Sequence, residues 1–215
     1  MFGSVRRLLS RWRLRIATIR LARKLKRQVI VHEAGHGLAA WLLPVFRHVL
    51  MVSAVPAGPY RGFTVTAGPE GEWSAEEAFQ GMTMSMAGIA AESLLIGEIS
   101  DGGQDDIHGV LAVWLLYGHG LSASAANGVA TALMEDLYGD DPLRRANADA
   151  FASPVLTTFF LAACELLRPR LKDLRRIAKA LRRKKYLEDA DFERILGPRT
   201  CIDLEPIFRT SDDQP

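Results

Sequence analysis

One segment, residues 29–40 with the sequence VIVHEAGHGLAA, constrains this chain more than any other. On a helix, His32 and His36 lie four residues apart and therefore on one face, where two imidazole nitrogens can be directed at a single metal ion. Glu33 is rotated from that face by about 100°, so its carboxylate lies at the edge of the site and can take a proton from water. This HExxH pattern is typical of zinc enzymes that hydrolyse peptides. It predicts a helix that carries a catalytic zinc centre.

A catalytic zinc ion usually has three protein ligands and a water, and the pattern supplies only two of them. The residues after His36 are GLAAWL, which excludes the extended pattern with a third histidine in the next two turns. The third ligand must come from elsewhere, and the residues themselves leave these candidates open: Glu92, Asp101, Asp105, Asp106 and His108. An alternative interpretation gives the two histidines unrelated hydrogen bonds and makes an aspartate at a helix start an ordinary cap.

Apolar periodicity and turn signals predict a mainly α fold with a small β element. Leu21 to Leu43 has a helical pattern that Pro44 ends, because proline cannot continue a helix. Residues 48–66 predict short strands on either side of a Pro/Gly loop. Ser74 is the predicted N-cap of a further helix, which Gly97 ends.

The second half of the chain predicts more helices, to about Leu196. The segment GHGLSASAANG, residues 118–128, is expected to interrupt them. The apolar runs Val110 to Tyr117 and Val155 to Cys164 are shorter than the roughly 20 residues that a bilayer requires, so no transmembrane span is predicted. The ten basic residues between Arg168 and Lys185 are expected to form a solvated helix face.

The N-terminus is a separate electrostatic segment. Residues 1–27 hold ten of the 27 basic residues and none of the 25 acidic ones, which leaves a formal charge of −8 for the rest of the chain. Apolar residues alternate with the arginines, so a secretory signal is not predicted. Four interpretations remain open: an amphipathic helix on anionic lipid, an arm for nucleic acid (the less favoured partner), an organelle-targeting peptide, and a solvated helix packed on its own domain.

The two cysteines indicate the redox environment in which the protein works. Cys164 and Cys201 cannot form a disulfide framework, which favours a reducing environment. We therefore expect a cytoplasmic protein, either free or peripheral at a membrane.

Five segments in this order resemble the peptidase domain of the FtsH family, the M41 zinc metalloproteases: VIVHEAGHGLAAWLLP, VSAVPAGPYRGFTV, AGIAAESLLIGEISDGGQDDI, YGHGLS and LRRIAKALRRKKYLEDADFERIL. HExxH alone is shared by many zinc peptidases, whereas its combination with AAE and GGQDDI is much more specific. The resemblance implies a mainly helical (α+β), zincin-like domain with a small β-strand element beside the active-site helix. It divides the chain into a basic amphipathic segment (1–27), a peptidase domain (28–197) and a loose C-terminal tail (198–215).

The resemblance also implies roles for individual residues. His32, His36 and Asp106 match the metal ligands and Glu33 the general base, because GGQDDI falls where the family has Gly-x-x-Asn-Asp-hydrophobic. Glu92 matches the acid of the AAE helix and is expected to orient a ligand histidine. Asp105 stands beside the ligand, where the family usually has asparagine. The segment RGFTV would pair with an extended substrate through Gly62, Phe63, Thr64 and Val65.

The activity implied is a zinc metalloendopeptidase with one Zn²⁺ per chain that cleaves unfolded or exposed polypeptide segments. Family members usually carry an ATPase module, and these 215 residues contain no GxxxxGK[ST] motif. We therefore expect cleavage without ATP, or with an ATPase partner in trans; a ring-like homo-oligomer is also implied. The alternative is a non-hydrolytic, zinc-stabilised adaptor that engages membrane, nucleic acid or a protease complex through its basic segments. Intact Glu33 argues against the adaptor, since a structural site needs no base.

Overall fold

The structure, a computed structural model, describes residues 24–58, 60–202 and 204 of the chain. Residues 1–23 lie outside this part, so the predicted start of the first helix and most of the basic N-terminal segment do as well. The predicted fold class is confirmed, since helices dominate and a small sheet lies beside the first helix. In chain order the elements are α1 (residues 24–42 as described), β1 (His48–Ser53), β2 (Phe63–Ala67), α2 (Ala75–Ile96), α3 (Gln104–His119), α4 (Ala123–Tyr138), α5 (Pro142–Leu167), α6 (Leu171–Lys184), β3 (Tyr186–Leu187) and α7 (Asp189–Leu196).

Helix α1 is the centre of the fold. Every residue from 30 to 43 is buried, and α1 crosses α2 at close range because both helices carry small residues at the crossing. A Cβ atom at Gly35 would lie 2.3 Å from the carbonyl oxygen of Ala87 and 2.6 Å from Cβ of Ala91. Glycine inside a helix costs about 1 kcal/mol relative to alanine. At Gly35 the absence of a side chain is what allows the backbones of α1 and α2 to approach.

The sheet is antiparallel, with strand order β2-β1-β3, and it places β2 at an edge. The register pairs Val52 of β1 with Thr64 of β2, and an irregularity in the pairing lies between Val49 and Met51. The predicted strand pair is therefore confirmed. Gly62 comes directly before β2 and belongs to the loop that enters it.

The ends of α2 follow the predicted signals. Ser74 accepts a hydrogen bond from the backbone N–H of Glu77, and the Glu77 side chain accepts one from the backbone N–H of Ser74, which together form a capping box. Gly97 ends the helix in the left-handed region with φ of 78°, a conformation that glycine adopts at low cost.

The predicted interruption over residues 118–128 is wrong in extent. Helix α3 runs to His119, Gly120 ends it with φ of 62°, and Ser122 caps α4 by accepting a hydrogen bond from the N–H of Ala125. The break is short because the alanines that follow Ser122 favour a helix. Helix α3 begins at Gln104, directly after the 3-10 segment Asp101–Gly103.

Helix α5 packs along α2 and continues through a short 3-10 segment into α6. By length and composition this continuous stretch, Pro142–Lys184, could cross a membrane, and 39% of its most apolar part is buried in the fold. Core helices of soluble proteins meet the same criteria, so the predicted absence of a membrane span stays a prediction.

The start of the predicted loose tail is packed against the domain. The Arg199 guanidinium donates hydrogen bonds to the carbonyl oxygens of Ala40, Trp41, Leu43 and Arg47. The backbone N–H of Ile202 donates to the carbonyl of Leu42, and Leu204 is buried. The C-terminal carbonyls of a helix lack intrahelical partners, and this segment supplies donors to those of α1. The expectation of a loose tail is therefore corrected at its beginning.

Candidate metal centre

Three side chains converge between α1 and the first turn of α3. The Nε2 atoms of His32 and His36 lie 3.0 Å apart. Asp106 places Oδ2 2.9 Å from Nε2 of His32 and Oδ1 3.4 Å from Nε2 of His36. Each residue offers one ligand atom, and these atoms all lie within 4.8 Å of one another. Of the candidates for the third ligand, Asp106 is the one that the fold brings to the two histidines.

The far side of each imidazole ring is held by a second partner. Nδ1 of His36 lies 2.9 Å from the carbonyl oxygen of Met84, which can only accept, so this nitrogen carries the proton. Nδ1 of His32 lies 2.8 Å from Oε1 of Glu92. Glu92 in turn accepts hydrogen bonds from the backbone N–H and the hydroxyl of Ser100, at 2.6 and 2.8 Å. Each ring thereby turns Nε2, which carries a lone pair when the ring is neutral, towards Asp106.

This donor set fits a zinc ion. Oδ2 of Asp106 is buried, and among the described residues no donor forms a hydrogen bond to it. Two imidazole nitrogens and a carboxylate are ordinary zinc ligands, and in a tetrahedron of such ligands the atoms are about 3.3–3.6 Å apart. The two Nε2 atoms are 3.0 Å apart and Oδ2 lies 2.9 Å from Nε2 of His32, within a few tenths of an ångström of this range. A cation between the three atoms would satisfy the buried oxygen and both lone pairs.

The charged groups of the site also favour a cation at its centre. Burial opposes protonation of His32, but the neighbouring carboxylates of Asp106 and Glu92 outweigh this effect and raise the pKa of the ring to about 10. Burial likewise opposes the charge on His36, while Asp106 raises its pKa. The pKa of Asp106 is lowered by the two histidines against the effect of its own burial. A proton therefore takes the central position without metal, and metal binding displaces it.

Glu33 lies beside the three candidate ligands and is not one of them. Its side chain is buried, and Oε2 accepts a hydrogen bond of 2.9 Å from Oγ1 of Thr64. Burial raises the pKa of this carboxyl, although the charges of His36 and His32 oppose the shift. Glu33 thus combines a carboxylate near the metal position with an environment that makes it a stronger base than an exposed glutamate.

A cleft of about 460 Å³ opens onto the site. Gly62, Phe63 and Thr64 line it on one side, and Asp105 lines it beside Asp106. The predicted substrate edge and the predicted metal ligands therefore face one cavity. Val65, also predicted for the edge, is 44% exposed and does not line the cleft.

Among the described side chains, two other candidates, Asp105 and His108, are not part of the cluster of ligand atoms. Asp105 is exposed and makes no hydrogen bond to either ligand histidine within the described part of the chain. Nε2 of His108 lies 3.1 Å from the hydroxyl of Thr131 on α4. Asp101 lies in the 3-10 segment before α3, and its side chain is outside the description.

Several residues that shape the site were not predicted to do so from the sequence. A Cβ atom at Gly88 would lie 2.5 Å from Nε2 of His36 and 2.7 Å from Nε2 of His32, so glycine is required where α2 passes the ligands. Its position inside a predicted helix was an available signal, since glycine is unfavourable there. The contacts of Ser100 with Glu92 and of Thr64 with Glu33 have no local sequence signal.

Comparison with known proteins gives a consistent set of similarities. The sequence model of peptidase family M41 matches residues 19–195. The ATP-dependent zinc metalloprotease FtsH 2 of Sphaerobacter thermophilus is 28% identical over 185 residues, which cover 83% of this chain and 28% of that protein. FtsH 1 of Symbiobacterium thermophilum, also named an ATP-dependent zinc metalloprotease, is 32% identical over 170 residues, or 77% of this chain and 28% of that protein.

A eukaryotic relative shows similar coverage. The mitochondrial inner membrane m-AAA protease component AFG3L1 of Mus musculus is 28% identical over 181 residues, which cover 81% of this chain and 23% of that protein. The chain thus spans less than a third of the length of each of these curated relatives.

Proposed function

The chain belongs to peptidase family M41, and from this premise we propose that it is a zinc metalloendopeptidase acting on unfolded or exposed segments of polypeptides. The observation that carries the proposal is the convergence of His32, His36 and Asp106, with an orphaned carboxylate oxygen, at a point beside buried Glu33.

In the proposed reaction His32, His36 and Asp106 hold one zinc ion. The ion, when bound, supplies Lewis-acid activation of water and of the scissile carbonyl group. Glu33 takes a proton from the attacking water onto its carboxylate and passes it to the nitrogen of the leaving amine. Glu92 keeps the proton of His32 on Nδ1, so that Nε2 remains available as a ligand.

We propose that the substrate binds as an extended strand along Gly62, Phe63, Thr64 and Val65. Strand β2 is at the edge of the sheet, and the first three of these residues line the cleft that contains the ligands. Main-chain pairing with an edge strand tolerates many side chains. It requires a segment without stable structure, which is why unfolded or exposed segments are the proposed substrates.

The finer context of the activity is also a proposal. The bacterial relatives are named ATP-dependent, and the 215 residues contain no GxxxxGK[ST] motif. We propose either cleavage of unstructured segments without ATP or delivery of substrates by an ATPase partner, with a homo-oligomeric ring as the assembly. A cytoplasmic place, free or peripheral at an anionic membrane through residues 1–27, remains part of the proposal.

The test is digestion of unfolded casein by the zinc-loaded full chain, with zinc measured per chain in the same samples. Glu33→Gln should retain zinc and lose cleavage by about 1,000-fold or more, because the amide cannot accept the proton. Glu165→Gln, which changes an exposed glutamate of α5, is the matched control and should cleave normally.

The outcomes separate the candidate functions. Zinc-dependent cleavage that only Glu33→Gln abolishes supports the peptidase. Stoichiometric zinc without cleavage of casein, in the presence and absence of a candidate ATPase, would favour the adaptor alternative. Failure of the wild type to bind zinc would contradict both.

A further inference from the structure

Thr64 connects the edge strand to the base. Its backbone lies in β2, in register with Val52 of β1. Its hydroxyl donates a hydrogen bond of 2.9 Å to Oε2 of Glu33, and within the described residues this is the hydrogen bond that the Glu33 carboxylate accepts. One residue thus belongs to the proposed substrate strand and also contacts the proposed base.

The approach of the strand to Glu33 is close and specific. A Cβ atom at Gly62 would lie 2.7 Å from both Cγ and Oε1 of Glu33, and 2.9 Å from the carbonyl oxygen of Ser53. Only glycine fits at this point, so the loop that enters β2 can pass directly over the Glu33 side chain. The next inward polar group along the strand is the hydroxyl of Thr64.

From this geometry we infer that Thr64 is a positioning residue, whose hydroxyl fixes the orientation of the Glu33 carboxylate relative to the substrate strand. The inference rests on the proposed function of Glu33 and adds a role for Thr64 beyond main-chain pairing with substrate. The hydroxyl holds Oε2 and leaves Oε1 to exchange protons with water and with the leaving amine.

The physical basis is the cost of a misplaced base. A glutamate side chain has three rotatable bonds, and a carboxylate turned by one rotamer no longer reaches the reacting water. Displacements of about 1 Å at a reacting group can lower rates by about 100-fold. The pairing of β2 with β1 fixes the position of Thr64. The hydrogen bond from the Thr64 hydroxyl then fixes the orientation of the Glu33 carboxylate.

The test uses three variants of the full chain. Thr64→Val has nearly the same shape and lacks the donor, whereas Thr64→Ser keeps the hydroxyl and lacks the methyl group. Thr66→Val removes a hydroxyl two residues further along β2 and is the matched control. Zinc content and thermal unfolding are measured first, since none of the variants alters a metal ligand.

Two readouts then follow, of which one does not require turnover. The first is kcat and KM for a casein-derived peptide. The second is the dissociation constant of acetohydroxamate for the zinc-loaded protein, measured by calorimetry. A hydroxamate loses a proton when it chelates a metal, and the neighbouring carboxylate is the acceptor, so its affinity reports the position of Glu33.

We expect Thr64→Val to lower kcat by about tenfold with little change in KM, and to weaken acetohydroxamate by a similar factor, because a hydrogen bond to a charged group is lost. Thr64→Ser should restore both values. Unchanged kcat and hydroxamate affinity in Thr64→Val would overturn the inference. So would an effect confined to KM, or a failure of Thr64→Ser to restore activity.

The same data distinguish this inference from the proposed function. If the wild type cleaves nothing, yet Thr64→Val weakens acetohydroxamate and Thr64→Ser does not, the peptidase proposal fails and the positioning role stands. If the wild type cleaves and Thr64→Val behaves as Thr66→Val does, the peptidase proposal stands and the positioning role is wrong.

Discussion

At the scale of single residues, the imidazole of His32 is held between two carboxylates. Nδ1 contacts Glu92, and Nε2 faces Asp106 at the metal position. Glu92 is almost completely buried, and both of its oxygens are engaged by Ser100. We therefore propose that Glu92 acts on a bound metal through the orientation and basicity of His32.

Replacement of Glu92 by glutamine tests this contact. Glu92→Gln keeps the shape of the side chain, removes its charge and leaves an amide facing the donors of Ser100. We expect zinc affinity to fall by about 10-fold to 100-fold, measured by competition with a chelator. Glu98→Gln on the exposed surface should leave the affinity unchanged. Equal affinities in the two variants would contradict the proposed role of Glu92.

The dependence of zinc binding on pH follows from the pKa of His32. Burial opposes the proton, but the carboxylates of Asp106 and Glu92 raise this pKa to about 10, so zinc must displace a proton at neutral pH. Affinity should rise with pH between about 6.5 and 8.5, by about tenfold per pH unit for each proton displaced. Chelator competition at three pH values measures the slope, and a slope of zero would refute the assignment.

The same shift affects the metal-free protein. Because the folded-state pKa of His32 is raised, its protonation stabilises the fold fully below the unfolded value of about 6.5. This contribution is lost as the pH rises through about 10. Urea unfolding of the metal-free chain should therefore show falling stability between these limits, and zinc should remove most of that dependence.

Sequence spacing alone predicted that His32, His36 and Glu33 act together, because the relation between positions i and i+4 is local to one helix. The choice of Asp106 came from family resemblance, since the acid that reaches the histidines depends on how α1 and α3 pack. The contact between Thr64 and Glu33 joins residues 31 positions apart. No local pattern encodes such a contact.

At the scale of elements, the site depends on how closely α2 passes α1. The positions of Gly35 and Gly88 allow this approach, and the carbonyl of Met84 on α2 also binds a ligand histidine. The ends of α2 could be predicted because caps are local signals. The start of α4 was misjudged, since glycine and serine near Ser122 suggested a longer loop than the alanines permit.

Gly88→Ala tests the helix crossing. The new Cβ would lie 2.5 Å from Nε2 of His36, so the ligands or α2 must move. We expect a loss of zinc affinity and a free energy of unfolding lower by about 1–3 kcal/mol. Gly109→Ala on α3 is the control, because its Cβ meets nothing within 4 Å, and it should stabilise the fold by about 0.5–1 kcal/mol. Normal zinc binding by Gly88→Ala would contradict the account of this crossing.

At the scale of the whole molecule, the C-terminal segment donates hydrogen bonds to the last carbonyl groups of α1, the helix that carries the two histidines. Arg199 lies more than 150 positions from the α1 carbonyls that it contacts. Composition could not predict this contact, because the many polar residues and the prolines after residue 197 are typical of a disordered tail. Many of the basic residues lie in two places, the N-terminal segment and α6. The formal net charge of the whole chain is nevertheless only +2.

Arg199→Ala should destabilise the domain by about 2 kcal/mol or more, since several carbonyls of α1 and the following loop lose a charged donor. Urea unfolding of the metal-free full chain measures the change without a contribution from zinc binding. Arg183→Ala, at an exposed position of α6, should change stability by less than about 0.5 kcal/mol. Similar stability of the two variants would show that the C-terminal contact is marginal.

The most direct test of the central claim compares two adjacent carboxylates. Zinc bound per chain should be measured after dialysis for the wild type, Asp106→Asn and Asp105→Asn. Asp106 faces both histidines, whereas Asp105 is exposed and contacts neither. We expect about one zinc per chain in the wild type and in Asp105→Asn, and a large loss in Asp106→Asn. Full retention by Asp106→Asn, or loss in Asp105→Asn alone, would contradict the proposed metal centre.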